Sequence, residues 1–400
     1  MKHWLTVGIG LAVFCATAQA IDPAQLKKHT IDDGFENGYQ VSVVDIDKDG
    51  KPDVIALATS PSKLVWYRNP DWKQFTITTK TRRNIDVAPY DIDGDGDQDF
   101  ALASGFSLDA SNSEGHVDWL ECPANPAEEQ EWAAHRIDAV PTSHRVRWAD
   151  VDGDGRKELL NLPIVGTAAK LPGYEGRLDF WSYTIPSNPL TGKWKGVVLS
   201  DSLELAHALA VVDWTPGGAQ EVLTASGAGV MLLEPRIKDG KNAERIIGTG
   251  HEGAPAKRGS SEVALGALAS QESRYVAAIE PWHGNEVVVY ESEEPNSLPW
   301  TRTVVDSSLT DGHALLCVDL DKDGNDEIVA GYRGGDRSIR VYQFAAESAE
   351  WEIAVLDPSG IGAAGLFAAD INSDGYVDIV AIGTATNNVV WYENLYGRED

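Results

Sequence analysis

Apolar and polar positions along this chain follow a unit of about fifty residues that recurs from end to end. It is clearest in HRVRWADVDGDGRKELL, His144 to Leu160, where an extended run with large apolar residues enters a loop of alternating aspartates and leaves as a second apolar run. Alternation with period two, rich in Val, Ile and Leu and with no amphipathic helix on either side, predicts strands flanking each loop. In the first unit VSVVDID leads into the loop, DVIALAT follows it, and KLVWYRNP and QFTITTK supply a third and a fourth strand. The third strand recurs as HVDWLECP, RLDFWSYTIP, VVVYESEEP, IRVYQF and VVWYEN.

The loops begin at Asp45, Asp91, Asp150, Asp319 and Asp370, with a degraded copy, DWTPGGAQE, at Asp213. The spacings in chain order are 46, 59, 63, 106 and 51 residues, and the long one conceals a further unit, SSEVALGALASQESRYVAAIEPWHGNEVVVYE, in which Ala269 and Ser270 replace the acidic start. Seven four-stranded units predict an all-β chain folded as a single seven-bladed β-propeller over residues 21–400. The last unit stops at a third strand, Val389 to Asn394, while KKHTIDDG near the start matches the fourth-strand segments AAHRIDAV and RTVVDSS. The N-terminal strand is therefore expected to complete the last blade and close the ring, which removes the exposed edges.

Composition narrows the partners. A formal net charge of −29 sets the chain against a nucleic-acid backbone. Lys2, the apolar run from Leu5 to Ala16 and Ala18-Gln19-Ala20 read as a secretory signal cleaved near Ala20, which predicts a periplasmic or secreted protein. No other stretch is long and apolar enough to span a bilayer. Beyond the signal only Cys122 and Cys317 remain, in non-adjacent units, so two free thiols are expected and calcium is the expected staple. There is no GxSxG elbow, P-loop, dinucleotide fingerprint or CxxC.

The aspartate loops suit a hard cation, which takes about six to eight oxygens at flexible distances. The expected calcium ligands are Asp45, Asp47, Asp49 and Asp53; Asp91, Asp93, Asp95 and Asp99; Asp150, Asp152, Asp154 and Glu158; Asp319, Asp321, Asp323 and Glu327; and Asp370, Asn372, Asp374 and Asp378. These loops belong at the bottom of the blades. Six residues before three of the loop starts stand His144, His207 and His313. The innermost strand of a blade runs down the channel, so this spacing predicts three imidazoles converging at the channel mouth, as ligands of a catalytic Zn²⁺ or similar ion with an open position. Tyr39, Ile85 and Ala364 hold the same place in other units.

Loops on the same face offer Arg83, then Lys170 and Tyr174, His251 and Arg258, Trp282 and His283, and Arg333, a polar and partly aromatic rim suited to a sugar. His29 and His135 occupy matching places in outermost strands, where structural roles are expected.

The repeats resemble FG-GAP/VCBS repeats, and phrasing such as VDIDKDGKPDVIALAT and VVWYEN resembles the propeller of aldos-2-ulose dehydratase and its bacterial relatives. That resemblance implies elimination chemistry on an oxidised sugar. A metal on the three histidines would polarise a ketone and acidify the neighbouring hydrogen. His251, His283 or Tyr174 would act as base, and Arg83, Lys170, Arg258, Trp282 and Arg333 would contact the substrate. The expected function is a secreted metal-assisted lyase acting on a keto-sugar or glycoside. A non-catalytic propeller binding glycan or protein, and a polysaccharide lyase acting on a uronate, stand as alternatives.

Overall fold

The computed structural model describes residues 21–397 apart from 171, 236–241, 293, 295 and 296, and apart from the side chain at 270. The segment read as a signal, 1–20, lies outside the described residues. The described chain forms seven antiparallel four-stranded sheets, each a blade of a β-propeller. Blades 1 to 6 span 38–78, 86–139, 143–200, 208–248, 262–306 and 312–358. Blade 7 takes three strands from 363–394 and its outermost strand, Leu26–Asp32, from the start of the chain, where Leu26 pairs with Asn394 and His29 with Trp391.

Strand position dictates composition. The second strands lie between neighbouring blades and are buried along most or all of their length, as in Asp99–Ser104, Glu221–Ser226 and Asp378–Gly383. Such strands read as continuous apolar runs because both faces are covered. Outermost strands alternate instead, as in Ala133–Ala139. Between blades 1 and 2, Ile55, Leu57 and Trp66 pack with Phe100, Leu102 and Trp132 in one cluster. Trp66 and Trp119 are wholly buried.

A polar clasp recurs at the blade junctions. The Tyr67 hydroxyl donates to Asp32 at 2.5 Å, Tyr183 to Asp138 at 2.8 Å, Tyr342 to Asp306 at 2.8 Å and Tyr392 to Asp357 at 2.6 Å. Each pairs a third-strand tyrosine with the aspartate at or near the end of the preceding blade's outermost strand. The first of them spans the junction where the ring closes.

At the lower end, the last acid of each loop is a backbone cap. Asp53 accepts from the Ile46 and Asn69 amides at 3.0 and 2.8 Å, and Asp378 from Ile371 and Asn394 at 2.9 and 2.7 Å. Glu158 and Glu327 accept from Val151 and Leu320 at 3.1 and 2.8 Å. In the degraded loop Glu221 still accepts from Trp214 at 3.0 Å, so the cap persists where Thr215 and Gly217 replace the third- and fifth-position acids. In blade 5 the loop is replaced by a short turn braced by its neighbour, with Ala269 donating to the Gly324 carbonyl at 3.1 Å.

Candidate functional site

The inner strands run from the mouth of the channel, which we call the top, down to the aspartate loops. Their first residues form a ring. In blades 1, 3, 6 and 7 the pairing skips one residue at this point, leaving Tyr39, His144, His313 and Ala364 out of register. A bulge of this kind re-aims a side chain. In blades 2, 4 and 5 the equivalent residues are Ile85, His207 and Ser261, each donating its amide to the second strand at 3.0, 3.0 and 2.8 Å.

The ring fixes the imidazoles through the neighbouring blade. His144 Nδ1 lies 3.0 Å from the His207 carbonyl, His207 Nδ1 lies 3.1 Å from the Ser261 carbonyl, and His313 Nδ1 lies 2.7 Å from the Ala364 carbonyl. A carbonyl only accepts, so Nδ1 carries the proton in all three and Nε2 is left bare. Each carbonyl belongs to the ring residue of the next blade.

The three bare nitrogens meet different partners. His144 Nε2 accepts from the Tyr39 hydroxyl at 3.0 Å and from Arg145 Nη1 at 3.2 Å. His207 Nε2 lies 3.1 Å from His283 Nε2. His313 Nε2 is buried without a partner among the described residues. His283 comes from the turn between the second and third strands of blade 5, at a φ of 48° that aims its ring at the channel. One ligand atom each from His207, His283 and His313 gathers within 4.8 Å. The imidazole trio thus contains His283 in place of His144, which the spacing had put there. His144 stands beside it, its ring centroid 4.8 Å from that of His207.

Burial holds all these imidazoles neutral. It pushes His144, His207 and His313 well below the usual histidine value, with Arg145 or Arg333 adding to the effect. Burial, His207 and Arg333 take His283 down to about 2. One residue further along the inner strands, Arg145 and Glu262 form the floor of the site. Glu262 Oε1 lies 3.8 Å from Arg145 Nη2 and 2.8 Å from His207 Nδ1, whose proton points instead to the Ser261 carbonyl. Burial raises Glu262 to about 8 against the pull of Arg145. Below the floor a cavity of about 530 Å³ runs down the channel between small residues such as Ala208, Ala264 and Gly365. Burial also raises the Tyr39 phenol, opposed by the Arg145 guanidinium.

The mouth above the trio has aromatic walls. Trp282 sits 4.9 Å from His283, Tyr174 meets Trp282 edge-on at 5.6 Å, and Phe106 lies 5.4 Å from His144. Arg333 reaches His283 Nδ1 at 3.3 Å and is tied to Asp311 at 2.9 and 3.0 Å. Other rim residues engage elsewhere: Arg83 donates to the Asn112 carbonyl at 3.0 Å, Arg258 pairs with Glu204 at 3.4 Å, and Lys170 is exposed. His251 binds Glu286 at 3.1 Å and bridges to Gly259, so no contact ties it to the imidazole cluster among the described residues. His29 and His135 each bind a glutamate at 2.8 Å, Glu393 and Glu121, and pack on Trp391 and Trp119.

At the bottom, carboxylates converge in four of the five intact loops: Asp45, Asp47 and Asp53; Asp91, Asp93 and Asp99; Asp150, Asp152 and Glu158; and Asp319, Asp321 and Glu327. The fifth-position residues Asp49, Asp95, Asp154 and Asp323 turn to the amide two residues on, at 2.9, 3.0, 2.9 and 2.7 Å. The loop of Asp370, Asn372, Asp374 and Asp378 gathers no such trio of acids among the described residues, since Asn372 stands in its third position. Cys122 and Cys317 are free thiols.

Tyr39, Arg145, Glu262 and Asp311 are site residues that spacing alone did not assign. The first was in register with the histidines but carried no metal-ligand chemistry. Arg145 and Glu262 are one position further along their strands, and in blade 5 the missing loop removes the landmark from which that position is counted.

Fold and site together define a seven-bladed β-propeller with a histidine-rich channel mouth, and the FG-GAP-like repeat model matches residues 45–102 and 319–381. Within that class the chain is similar to the β-propeller domain of aldos-2-ulose dehydratase, whose family model matches residues 114–293, a stretch that includes His144, His207 and His283. The aldos-2-ulose dehydratase of Phanerodontia chrysosporium is 27% identical over 245 residues, covering 56% of this chain and 26% of the relative. The match thus spans about a quarter of that protein's length. Among solved structures, an exotype rhamnogalacturonan lyase (TM-score 0.50, 13% identity, 93% of this chain and 76% of the other) has a similar fold. So has BBS1N from its complex with ARL6DN (TM-score 0.54, 11% identity, 92% and 96%). Both show the fold alone.

Proposed function

We propose that this chain is a metal-assisted carbon–oxygen lyase that eliminates water or an alkoxide from a keto-sugar or keto-glycoside at the top of the channel. The observation that carries the reading is the trio of His207, His283 and His313, the first and last buried and His283 half-buried, in which His313 Nε2 has no partner among the described residues. A buried ring nitrogen left without a hydrogen bond costs free energy, and the unmatched lone pair points to a ligand-binding role. Neutral imidazoles with an open side suit Zn²⁺ or a similar ion, which would polarise a bound carbonyl and acidify the adjacent C–H.

The chain's own residues supply the rest. Trp282, Tyr174 and Phe106 give apolar walls for a sugar ring, and Arg145 and Glu262 line the channel cavity below together with His313. Tyr39 Oη and His144 Nε2 share a proton at the wall of the trio. In an elimination Tyr39 gives its proton to the departing oxygen, His144 Nε2 takes the proton from carbon, and transfer from His144 to Tyr39 restores the pair when product leaves. This assigns the base to His144 in place of His251, His283 or Tyr174. The four acidic trios at the bottom are proposed calcium sites with a structural role, and the protein is proposed to act outside the cytoplasm.

The test is elemental analysis beside a turnover assay. The protein is purified without added transition metal and offered keto-sugars bearing a hydrogen α and a hydroxyl β to the carbonyl, with the conjugated enone followed by its ultraviolet absorbance. One non-calcium ion per chain, lost in His313→Ala together with turnover, supports the reading. Calcium alone in both proteins sinks it, and unchanged glycan affinity in that variant would favour the binding propeller.

A further inference from the structure

His283 differs from the other imidazoles in where its proton sits. Because His207 Nδ1 carries that ring's proton, the contact of 3.1 Å between His207 Nε2 and His283 Nε2 needs its hydrogen from His283. The opposite end of the His283 ring agrees. Arg333 Nη2, which can only donate, lies 3.3 Å from His283 Nδ1. His283 is thus protonated on Nε2, the reverse of His144, His207 and His313, and its proton occupies the space between two of the three nitrogens that would hold an ion. A ring in that form cannot bind a cation through Nε2 until the proton moves to Nδ1.

Two groups at Nδ1 pull in opposite directions. Asp311 Oδ1, 3.5 Å away, is placed to accept from Nδ1 once that nitrogen carries the proton, whereas Arg333 donates to the same nitrogen and would add positive charge near an ion. The two are locked together by contacts of 2.9 and 3.0 Å, so either can approach Nδ1 with a small shift. Asp311 also lies two residues before His313, which couples the pair to a second member of the trio.

We propose that Asp311 and Arg333 are opposed positioning residues for His283, Asp311 turning Nε2 into a metal ligand and Arg333 holding it as a hydrogen-bond donor. The idea rests on the metal-site reading above. It makes this rim a regulator of metal affinity as well as a wall for substrate. Outer partners of ligating imidazoles commonly change affinity by about 10- to 100-fold.

The experiment is a competition titration of the metal-stripped full chain with zinc against a chromophoric chelator, in wild type, Asp311→Asn, Arg333→Met and His313→Ala. Asp311→Asn is expected to weaken zinc by about 10- to 100-fold and Arg333→Met to tighten it, changes of opposite sign from the two halves of one ion pair. Loss of equal size in both variants would reduce the pair to a structural clasp and overturn the inference while leaving the metal site standing. Wild-type zinc affinity no better than that of His313→Ala would overturn both. Should either variant fail to fold, the ¹⁵N shifts of the ring in the wild-type protein decide, with the His283 signals assigned from their loss in His283→Ala. A proton on Nε2 in the stripped protein that appears on Nδ1 when zinc is added is expected. A proton on Nδ1 before zinc is added refutes it.

Discussion

Removing calcium from the proposed loop sites should make the stability of this propeller fall as pH rises through neutrality. The perturbation acts on the closing acids of the loops. Burial raises Asp53 and Glu158 to about 7, Asp99 and Asp378 to about 6, and Glu327 to about 9, with the other loop acids adding to the shift. A group whose folded value lies above its unfolded one binds more protons when folded. Its protonated form favours the fold, so the stripped protein is most stable near pH 4 to 5 and loses stability up to about pH 7 to 9. For Glu158, a move from 4.5 to about 7 corresponds to about 3 kcal/mol at one pH unit per 1.36 kcal/mol. A chain of this length unfolds with roughly 0.8 kcal/mol/K of entropy, so one loop shifts Tm by about 4 °C. Calcium bound at the proposed sites would hold these carboxylates ionised and remove the dependence. The assay is thermal unfolding at pH 5 and pH 8, with chelator and with millimolar calcium. A stripped protein as stable at pH 8 as at pH 5, or an equal fall with calcium present, would refute the reasoning.

Four other outcomes are expected. Glu221→Ala, in the degraded loop, should cost about 1–3 kcal/mol by stranding the Trp214 amide, and by the same amount with or without calcium in denaturant melts; Glu158→Ala should cost more when calcium is present. Tyr39→Phe should lower kcat by about 10²- to 10⁴-fold in the enone assay while zinc content is unchanged. His144→Ala should keep the ion and lose turnover, whereas His313→Ala should lose both, read by elemental analysis beside kinetics. Tyr183→Phe should destabilise by about 1–3 kcal/mol in urea melts, since it removes a donor from Asp138 at a blade junction.

The blade count, the strand order within a blade and the ring position of His144, His207 and His313 were legible because one unit repeats with a fixed offset between strand start and loop. His283 escaped that logic. It sits on a top turn, and only the left-handed backbone at that residue swings its ring to the channel, which no spacing rule contains. The histidine triplet read from spacing included His144 because spacing cannot register that Tyr39 and Arg145 take up its free nitrogen. Rim residues were harder still. Arg83, Arg258 and His251 have the chemistry of ligand contacts, yet each is held by a local partner, Asn112, Glu204 and Glu286, whose nearness depends on how loops from different blades meet.

Because the proton of each ring imidazole is held by a carbonyl of the next blade, the site is written across joints and never within one repeat. A single blade copied, deleted or grafted elsewhere would carry its histidine but not the group that orients it. The same dependence would make retention of the proposed ion a gauge of closure. A substitution that loosens the ring anywhere, including the junction sealed by Asp32 and Tyr67, should release the ion before it melts a strand.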